Sequence, residues 1–335
     1  MLRSRARQPC RALRGHLLQA TRASASASYK QPQGLAAAPP PSANTLHLVL
    51  GGTFLPHPEK AHKGGEDAFF ADDAIGAFGV ADGVGGSASF MVDPGEFSRS
   101  ILRSCHAGLL QKRGRGLELR RALQYAGSKE SSLPGGSSTV LLGQLEPGTN
   151  VLRFLNLGDS GAFVFRPSMR RFPKTEPFLW PRVLTRSHDQ THYFNCPYQV
   201  AAEDFALAAA EADELQTIAR SGDIVVAATD GVLDNLFVEQ IQVEVAKRVD
   251  ELFAEDPLVA QAAANGLAKS IADEALAVGH RQDEPGLQTP FAVSAAKEGY
   301  SFAGGKLDDV AVVCGVVRHG QRPPEQRLSN FDFAS

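Results

Sequence analysis

The chain has 335 residues, 43% apolar, 21% charged and 7% aromatic, a balance that excludes a wholly disordered, collagenous or coiled-coil protein. Its net charge of -3 is unevenly spread, because the first acid is Glu59 and the segment before it carries seven Lys or Arg, leaving the remainder at -10. So acidic a body argues against general nucleic-acid binding, and no run approaches the roughly 20 apolar residues of a transmembrane helix.

The first segment holds Arg3, Arg5, Arg7, Arg11, Arg14 and Arg22 among Leu2, Leu13, Leu17 and Leu18, then a Ser/Ala run from Ala23 to Ser28, with no acid. Arg-rich, Ser-rich and acid-free composition is that of organelle presequences, and the apolar run of a secretory signal is lacking. Six arginines in so short a span favour a mitochondrial address, with chloroplast import and a solvated basic tail as alternatives. From Gln31 to Ala43 the composition turns to Pro, Ala, Gln and Ser, which reads as a linker. The expected organisation is a presequence and disordered linker over 1–44, one folded domain over 45–318 and a polar tail over 319–335.

Short apolar or β-branched runs bounded by turn residues predict strands at 46–50, 75–81, 138–145, 151–157, 162–166, 224–229 and 310–317. The links 146–149 and 158–161 read as hairpin turns. Phe97, Ile101, Leu102, Cys105 and Leu109 share one helical face, with Asp93, Pro94 and Glu96 at N-cap, first-turn and capping-box positions. Further helices are predicted over 118–130, 239–253 and 257–278. Strands in adjacent runs with helices grouped elsewhere predict an α+β layered domain rather than a βαβ alternation. The stretches 167–181 and 279–304 read as long surface loops, one of them a lid or substrate edge, and the tail after Arg318 as frayed. Cys10, Cys105, Cys196 and Cys314 show no paired zinc spacing and read as reduced, mostly structural thiols.

The chemistry lies in where the aspartates fall. Asp82 ends an apolar run and precedes Gly83; Asp230 follows 224–229 and precedes Gly231. Asp308 and Asp309 stand immediately before the last strand, and Asp67 opens Ala68-Phe69-Phe70 after Gly64-Gly65-Glu66. In an antiparallel sheet the end of one strand lies beside the start of its neighbour, so these carboxylates are expected to gather at one edge. Such a cluster repels itself without a counterion, and Mg²⁺ or Mn²⁺ prefer oxygen ligands. Two ions sharing a carboxylate would ionise a bridging water near neutral pH, which describes a hydrolase. One Asp-Gly alone is more often a turn, but four acidic positions in matching strand-edge settings shift the balance.

Other residues carry blander readings. Ser160 lacks the Gly-x-Ser-x-Gly setting of a nucleophile elbow, and Gly83-Val84-Gly85-Gly86 lacks the ending of a phosphate loop. His188 and His192 are four apart without an apolar face between them, which favours a loop or substrate-contact role over metal binding. Arg170, Arg171 and Lys174 read as a solvated positive edge, and Phe90 and Met91 as core or loop anchors.

Six segments, taken together and in order, resemble the PPM family of metal-dependent Ser/Thr protein phosphatases, the type-2C class. They are Gly65-Glu66-Asp67-Ala68, the run from Val80 to Gly86, Gly136-Ser137-Ser138-Thr139, the run from Asn156 to Gly161, the run from Ala228 to Asn235, and Lys306-Leu307-Asp308-Asp309-Val310. The run from His188 to Asn195, with Gly85-Gly86 and Val92-Asp93-Pro94, is similar to the mitochondrial branch of that family, some of whose members are linked to coenzyme Q biosynthesis and mitochondrial maintenance.

The resemblance implies a four-layer α-β-β-α sandwich of two antiparallel sheets flanked by helices, with two Mn²⁺ or Mg²⁺ ions at one end. It implies Asp82 as bridging ligand, Gly83 as a carbonyl ligand, Asp230 and Asp308 as further ligands, and these three aspartates as the catalytic set. It implies Glu66 and Asp67 as ligands, directly or through water, and Asp159 as part of a weaker third site. Many members carry an arginine about four residues before the Glu-Asp pair to grip phosphate; here His62 stands there beside Lys63. His62 and Lys63 are therefore the expected phosphate-binding replacements, with Lys60 a further possibility, although lysine offers a point charge rather than a fork. The histidine that many members carry after Asp-Gly is Val84 here. The implied activity is hydrolysis of phosphoserine and phosphothreonine on mitochondrial matrix proteins, with coenzyme Q biosynthesis proteins among the implied partners. A catalytically weak pseudophosphatase acting as a phosphoprotein adaptor is the alternative, and a hydrolase of small phosphate esters a more remote one.

Overall fold

Strands whose residues are apolar on both faces need a layer on each side, and that requirement organises the molecule. A computed structural model describes residues 45–84, 93–111, 119–130, 136–171, 176–201, 205–320 and 325–331. The chain begins with β1 (His47–Leu55), β2 (Asp67–Asp72), β3 (Ala77–Asp82), α1 (Pro94–Gln111) and α2 (Leu119–Glu130). It continues through β4 (Ser137–Ser138), β5 (Val140–Leu145), β6 (Val151–Leu157), β7 (Gly161–Arg170) and β8 (Phe178–Arg186). Three short strands follow, β9 (Thr191–Tyr193), β10 (Cys196–Pro197) and β11 (Val200–Ala201), then α3 (Phe205–Glu211), β12 (Asp213–Ile218) and β13 (Ile224–Ala228). The last part comprises α4 (Asp230–Leu233), α5 (Val238–Leu252), α6 (Pro257–Gly279), α7 (Pro290–Lys297), β14 (Val310–Arg318) and β15 (Arg327–Ser329).

The main strands form two antiparallel sheets, one ordered β1-β14-β13-β7-β8 and the other β12-β6-β5-β3-β2-β15. Period-two alternation divides their side chains between three cores. On β14, Val310, Val312, Cys314 and Val316 pack toward Ile241 and Val245 of α5 and Leu267 and Ile271 of α6. Its intervening Ala311, Val313 and Val317 pack between the sheets with Leu48, Leu50, Phe69, Phe78 and Phe154. The far face of the second sheet, through Ala81, Val140 and Leu142, packs on Phe97, Ile101 and Leu123 of α1 and α2. Each fully buried Leu or Phe contributes roughly 1.5–3 kcal/mol, so three stacked cores make the strand ends a rigid base. The result is the four-layer α-β-β-α sandwich that the family resemblance implied. Among the described residues no helix is long and apolar enough to cross a membrane.

The departures are instructive. The 146–149 link is a hairpin within one sheet, with Glu146 N donating to the Val151 carbonyl at 2.9 Å. The 158–161 link is not, because β6 and β7 belong to different sheets, and Gly158 at φ +111° turns the chain across the sandwich. The stretch 167–181 is largely strand, since Arg170 pairs with Phe178 and Ser168 with Trp180 in the long β7–β8 hairpin. Within 279–304, Thr289 caps α7 through its Oγ1, which accepts from Ala292 N at 3.2 Å, and Pro290 starts the helix, a Thr-Pro signal legible beforehand. The tail is not wholly frayed: β15 adds to the edge of β2, and Arg327 Nε reaches Asp72 Oδ2 at 3.0 Å. Cys105 and Cys314 are buried thiols, whereas Cys196 is disulfide-bonded, against the expectation of reduced cysteines, and Cys10 lies outside the described residues.

Candidate active site at the strand ends

The antiparallel register builds the site. Asp67, first residue of β2, is the direct cross-strand partner of Asp82, last residue of β3. Two like charges facing each other across a ladder are destabilising, so their retention calls for a cation. In the other sheet Thr229 N donates to the Ala311 carbonyl at 3.1 Å and its Oγ1 accepts from Ala311 N at 3.0 Å. That lock sets Asp230, just beyond β13, beside Asp308, just before β14. The turn that crosses the sandwich contributes Asp159. Asp82 lies within electrostatic reach of Asp230, Asp67, Asp308 and Asp159, so residues from both sheets converge at one end.

Backbone contacts hold the acids in place. Asp82 N donates to Thr139 Oγ1 at 3.0 Å, and its carbonyl accepts from Ser138 Oγ at 2.8 Å and Thr139 N at 2.9 Å. This is the local role of the Gly136–Thr139 motif. Gly83 N donates to the Glu66 carbonyl at 3.1 Å, and a Cβ there would lie 2.4 Å from the Pro94 carbonyl oxygen, so only glycine allows that approach. A Cβ on Gly231 would fall 1.9 Å from the Asp309 carbonyl oxygen, for the same reason. Asn235 ties the two loops beneath Asp230 and Asp308, its Nδ2 donating to the carbonyls of Gly231 and Lys306 at 2.8 Å each.

Electrostatics follow from burial. Desolvation, followed by Asp309, pushes the Asp67 carboxyl well above its ordinary range, and desolvation with Asp230 does the same to Asp82 and Asp159. Asp234 is pushed up to about 7, again chiefly by burial, with Lys306 pulling the other way. Two oxygens, Asp67 Oδ2 and Asp159 Oδ1, are buried without a hydrogen-bond partner. Two lysines stand among the acids. Lys60 Nζ lies 2.5 Å from Glu66 Oε2, 3.1 Å from Asp309 Oδ2 and 3.6 Å from Asp308 Oδ1. Lys306 Nζ lies 2.5 Å from Asp230 Oδ2, 2.5 Å from Asp234 Oδ2 and 3.5 Å from Asp308 Oδ2. Burial opposes both ammonium charges, but the surrounding carboxylates outweigh it and hold both pKa values above the ordinary lysine range. With these ammonium groups between them, no three Asp, Glu, His or Cys side chains among the described residues close around a single point.

The structure thus brings together Asp67, Asp82, Asp159, Asp230 and Asp308, with Gly83 and Glu66 beside them. It leaves His62 and Lys63 exposed on the 3-10 turn Ala61–Lys63, and among the described residues neither bonds to the cluster. Lys60, at the start of that turn, is the side chain that reaches in, because the turn curls His62 and Lys63 outward. Sequence reasoning set Asp309 among the strand-end acids without a role of its own and missed two further contributors. Asp309 is a buried clamp accepting from His57 N at 2.8 Å and Glu66 N at 3.1 Å, while Asp234 and Lys306 complete the Asp230 side. Asp234 and Lys306 sat inside recognised motifs, so position was legible and role was not. Ser160 is buried with its Oγ 3.0 Å from Thr139 Oγ1, a packing role. His192 stacks on Tyr198 at 4.1 Å, and the His188 carbonyl accepts from Asn156 Nδ2, so neither joins the acids. Gly85, Gly86, Phe90, Met91, Val92 and Lys174 lie outside the described residues.

A four-layer sandwich with a carboxylate cluster at its strand ends defines a hydrolase of the phosphatase-2C type of fold. Curated relatives agree. The chain is 36% identical over 276 residues to probable protein phosphatase 2C 80 of Arabidopsis thaliana, covering 82% of this chain and 60% of that one. It is 32% identical over 267 residues to the protein phosphatase PTC7 homolog of Homo sapiens, covering 76% of this chain and 79% of the relative. Among solved structures, the photosystem II phosphatase PBCP matches with 27% identity and a TM-score of 0.62 over 80% of this chain and 98% of that one. The catalytic domain of the serine/threonine phosphatase PstP, bound to two manganese ions, matches in fold at a TM-score of 0.51 with 19% identity, over 82% of this chain and 100% of that one. No family model matches. The chain belongs to the protein phosphatase 2C, or PPM, family of Ser/Thr phosphatases. It spans 60% of the first of these relatives and about half, 43% to 54%, of several others.

Proposed function

We propose that this chain is a metal-dependent protein serine/threonine phosphatase acting on phosphoproteins of the mitochondrial matrix. The observation that carries the reading is the convergence of Asp67, Asp82, Asp159, Asp230 and Asp308 at one end of the sandwich, two of them with buried, partnerless oxygens. That donor set consists of hard oxygens and fits Mn²⁺ or Mg²⁺. Asp82, Asp230 and Asp308 would hold two ions, with the Gly83 carbonyl, Glu66 and Asp67 completing the shell and Asp159 on the Asp230 side. When bound, the ions lower the pKa of a shared water and neutralise phosphate oxygens, which permits direct in-line hydrolysis.

The chain's own side chains do the rest. Lys60, 28% exposed at the rim, offers its ammonium to the phosphate in the place of the family's arginine. Val84 has no proton to give, so the proton for the leaving oxygen would come from a water held in the site or from another residue. A covalent phosphoenzyme is not required, since Ser160 is buried against Thr139. The acid-free, arginine-rich segment 1–44 supports a mitochondrial address, and the neighbour named for photosystem II makes the plastid the competing one. Coenzyme Q biosynthesis proteins are candidate substrates on the strength of the motif around His188 to Asn195.

The test is hydrolysis of p-nitrophenyl phosphate and of a phosphothreonine peptide across a Mn²⁺ titration. Turnover should appear with metal, vanish with EDTA, and be lost in Asp82→Asn with an unchanged circular dichroism spectrum. Phosphopeptide binding without metal-dependent turnover would make the chain an adaptor, and hydrolysis confined to small esters would remove the protein-substrate reading. Import of a 1–44 fusion into isolated mitochondria or plastids decides the address.

A further inference from the structure

The lysine at position 306 has a setting unlike any other cation in the described residues. Its backbone is fixed at both polar groups: Lys306 N donates to Asn235 Oδ1 at 2.9 Å, and its carbonyl accepts from Asn235 Nδ2 at 2.8 Å. Its side chain is 11% exposed and its ammonium lies 5.2 Å from the centre of the Phe291 ring. An ammonium has three N–H donors, and three carboxylates, Asp230, Asp234 and Asp308, surround this one. The aromatic ring adds an attraction for positive charge on a further side.

Asp159 lies on the same side, within electrostatic reach of Asp230, Asp234 and Lys306, and its Oδ1 is buried without a partner. Asp230 and Asp234 therefore share one tethered cation, at 2.5 Å each, with Asp159 nearby and not in contact with it. An oxygen lone pair cannot serve an ammonium and a divalent ion at once, and the two positive charges repel at that distance in a buried site.

We propose that Lys306 is a built-in monovalent cation that takes the place of a divalent ion between Asp230 and Asp234, so that the site accepts two metal ions and no third. This rests on the metal-dependent reading above. The role is structural electrostatics: the Lys306 ammonium, 2.5 Å from both Asp230 Oδ2 and Asp234 Oδ2, stands where a further divalent ion would need those same oxygens. It also makes the Asp159 side unresponsive to metal concentration.

The experiment measures Mn²⁺ stoichiometry and affinity of the full chain by calorimetry and by metal content after gel filtration, for the native protein, Lys306→Met and Lys306→Arg. Expected are two equivalents in the native protein and in Lys306→Arg, and an additional equivalent in Lys306→Met bound at least about tenfold tighter than any third ion in the native protein. An unchanged stoichiometry and affinity in Lys306→Met, or a third equivalent in Lys306→Arg as well, overturns the proposal while leaving metal dependence intact. A native protein that binds no Mn²⁺ overturns the functional reading instead. Should Lys306→Met not fold, amine acylation of the native protein mapped by mass spectrometry gives the answer, with exposed Lys63 as labelling control. Lys306 should stay unlabelled with and without saturating Mn²⁺; labelling that appears as Mn²⁺ is added would show a side chain displaced by metal, contrary to the proposal.

Discussion

The two lysines of the acidic end make opposite use of the same charge. Lys60 sits on a short turn, 28% exposed, and meets Glu66, Asp308 and Asp309; Lys306 is 11% exposed and meets Asp230, Asp234 and Asp308. Asp308 is shared, with Oδ1 toward Lys60 and Oδ2 toward Lys306. The rim lysine can trade a carboxylate for an incoming phosphate at modest cost, since exposed ion pairs are worth little. The buried one cannot, because removing either partner of a buried pair leaves an uncompensated charge. On the proposed reading, location more than residue type separates a cation that meets substrate from a structural one.

That contrast can be attacked by mutation. The largest effect should come from the acids at the centre of the cluster: Asp82→Asn or Asp230→Asn is expected to lower Mn²⁺-dependent kcat by about 10²–10³-fold or more, measured on a phosphopeptide with the fold monitored by circular dichroism. Full activity in either variant would remove the metal assignment. Next, Lys306→Met should cost about 3–5 kcal/mol of stability in EDTA and much less in saturating Mn²⁺, read as the difference between two melting curves. Equal losses in both conditions would make Lys306 an ordinary packing residue.

For Lys60→Ala the expectation is a KM for phosphopeptide raised about tenfold to a hundredfold with a smaller change in kcat, and substantial recovery in Lys60→Arg. A pure kcat effect would place Lys60 with the buried lysine. At the bottom of the scale, His62→Ala and Lys63→Ala should change kcat/KM by less than about twofold, as expected of exposed charges.

The pH response sharpens the same point. Asp67, Asp82, Asp159 and Asp234 all have carboxyls raised in the folded chain, chiefly by burial. Between the unfolded value near 4 and the raised one, the folded state holds the proton and the unfolded state does not, so stability falls as pH rises. Each such group contributes about 1.4 kcal/mol per pH unit within its window, which for Asp234 extends to about 7. Metal-free protein should therefore melt lower at pH 7.5 than at pH 5.5, roughly the two sides of that window, and Mn²⁺ should recover the loss mainly at the higher pH. A melting temperature in EDTA that rises over that interval would show the acids already compensated. Asp72, lowered by His106 and Arg327 against the cost of burial, has its window below the ordinary carboxylate pKa and does not interfere.

Much of this was legible in the chain because the signals are local. The run Val310 to Val317 reads as a strand since every residue is apolar, and Asp230 and Asp308 declare themselves as strand-end acids next to glycine or before a β-branched run. Asp256 and Pro257 mark the start of α6, where Asp256 Oδ1 accepts from Leu258 N at 2.9 Å. The β7–β8 hairpin was hidden by Pro167 and Pro181, which are tolerated because they face each other on an edge pairing. β12, with alternating exposed and half-buried residues, carries too little hydrophobic signal to stand out, and pairing with β6 alone makes it a strand.

What the residues alone determined was the inventory: hard-oxygen donors at strand ends, glycines where backbones must touch, apolar runs long enough for two sheets with helices outside them, and an arginine-rich, acid-free first segment. Those properties are written in single residues and their nearest neighbours. The tertiary structure decided which cation meets which carboxylate. It brought Lys60 rather than Lys63 into the cluster, set Lys306 between Asp230 and Asp234, and turned Asp159 across from one sheet to the other. Such choices depend on turn direction and on the stacking of layers, which are fixed by contacts between residues far apart in the chain, as His57 and Asp309 show with a separation of 252.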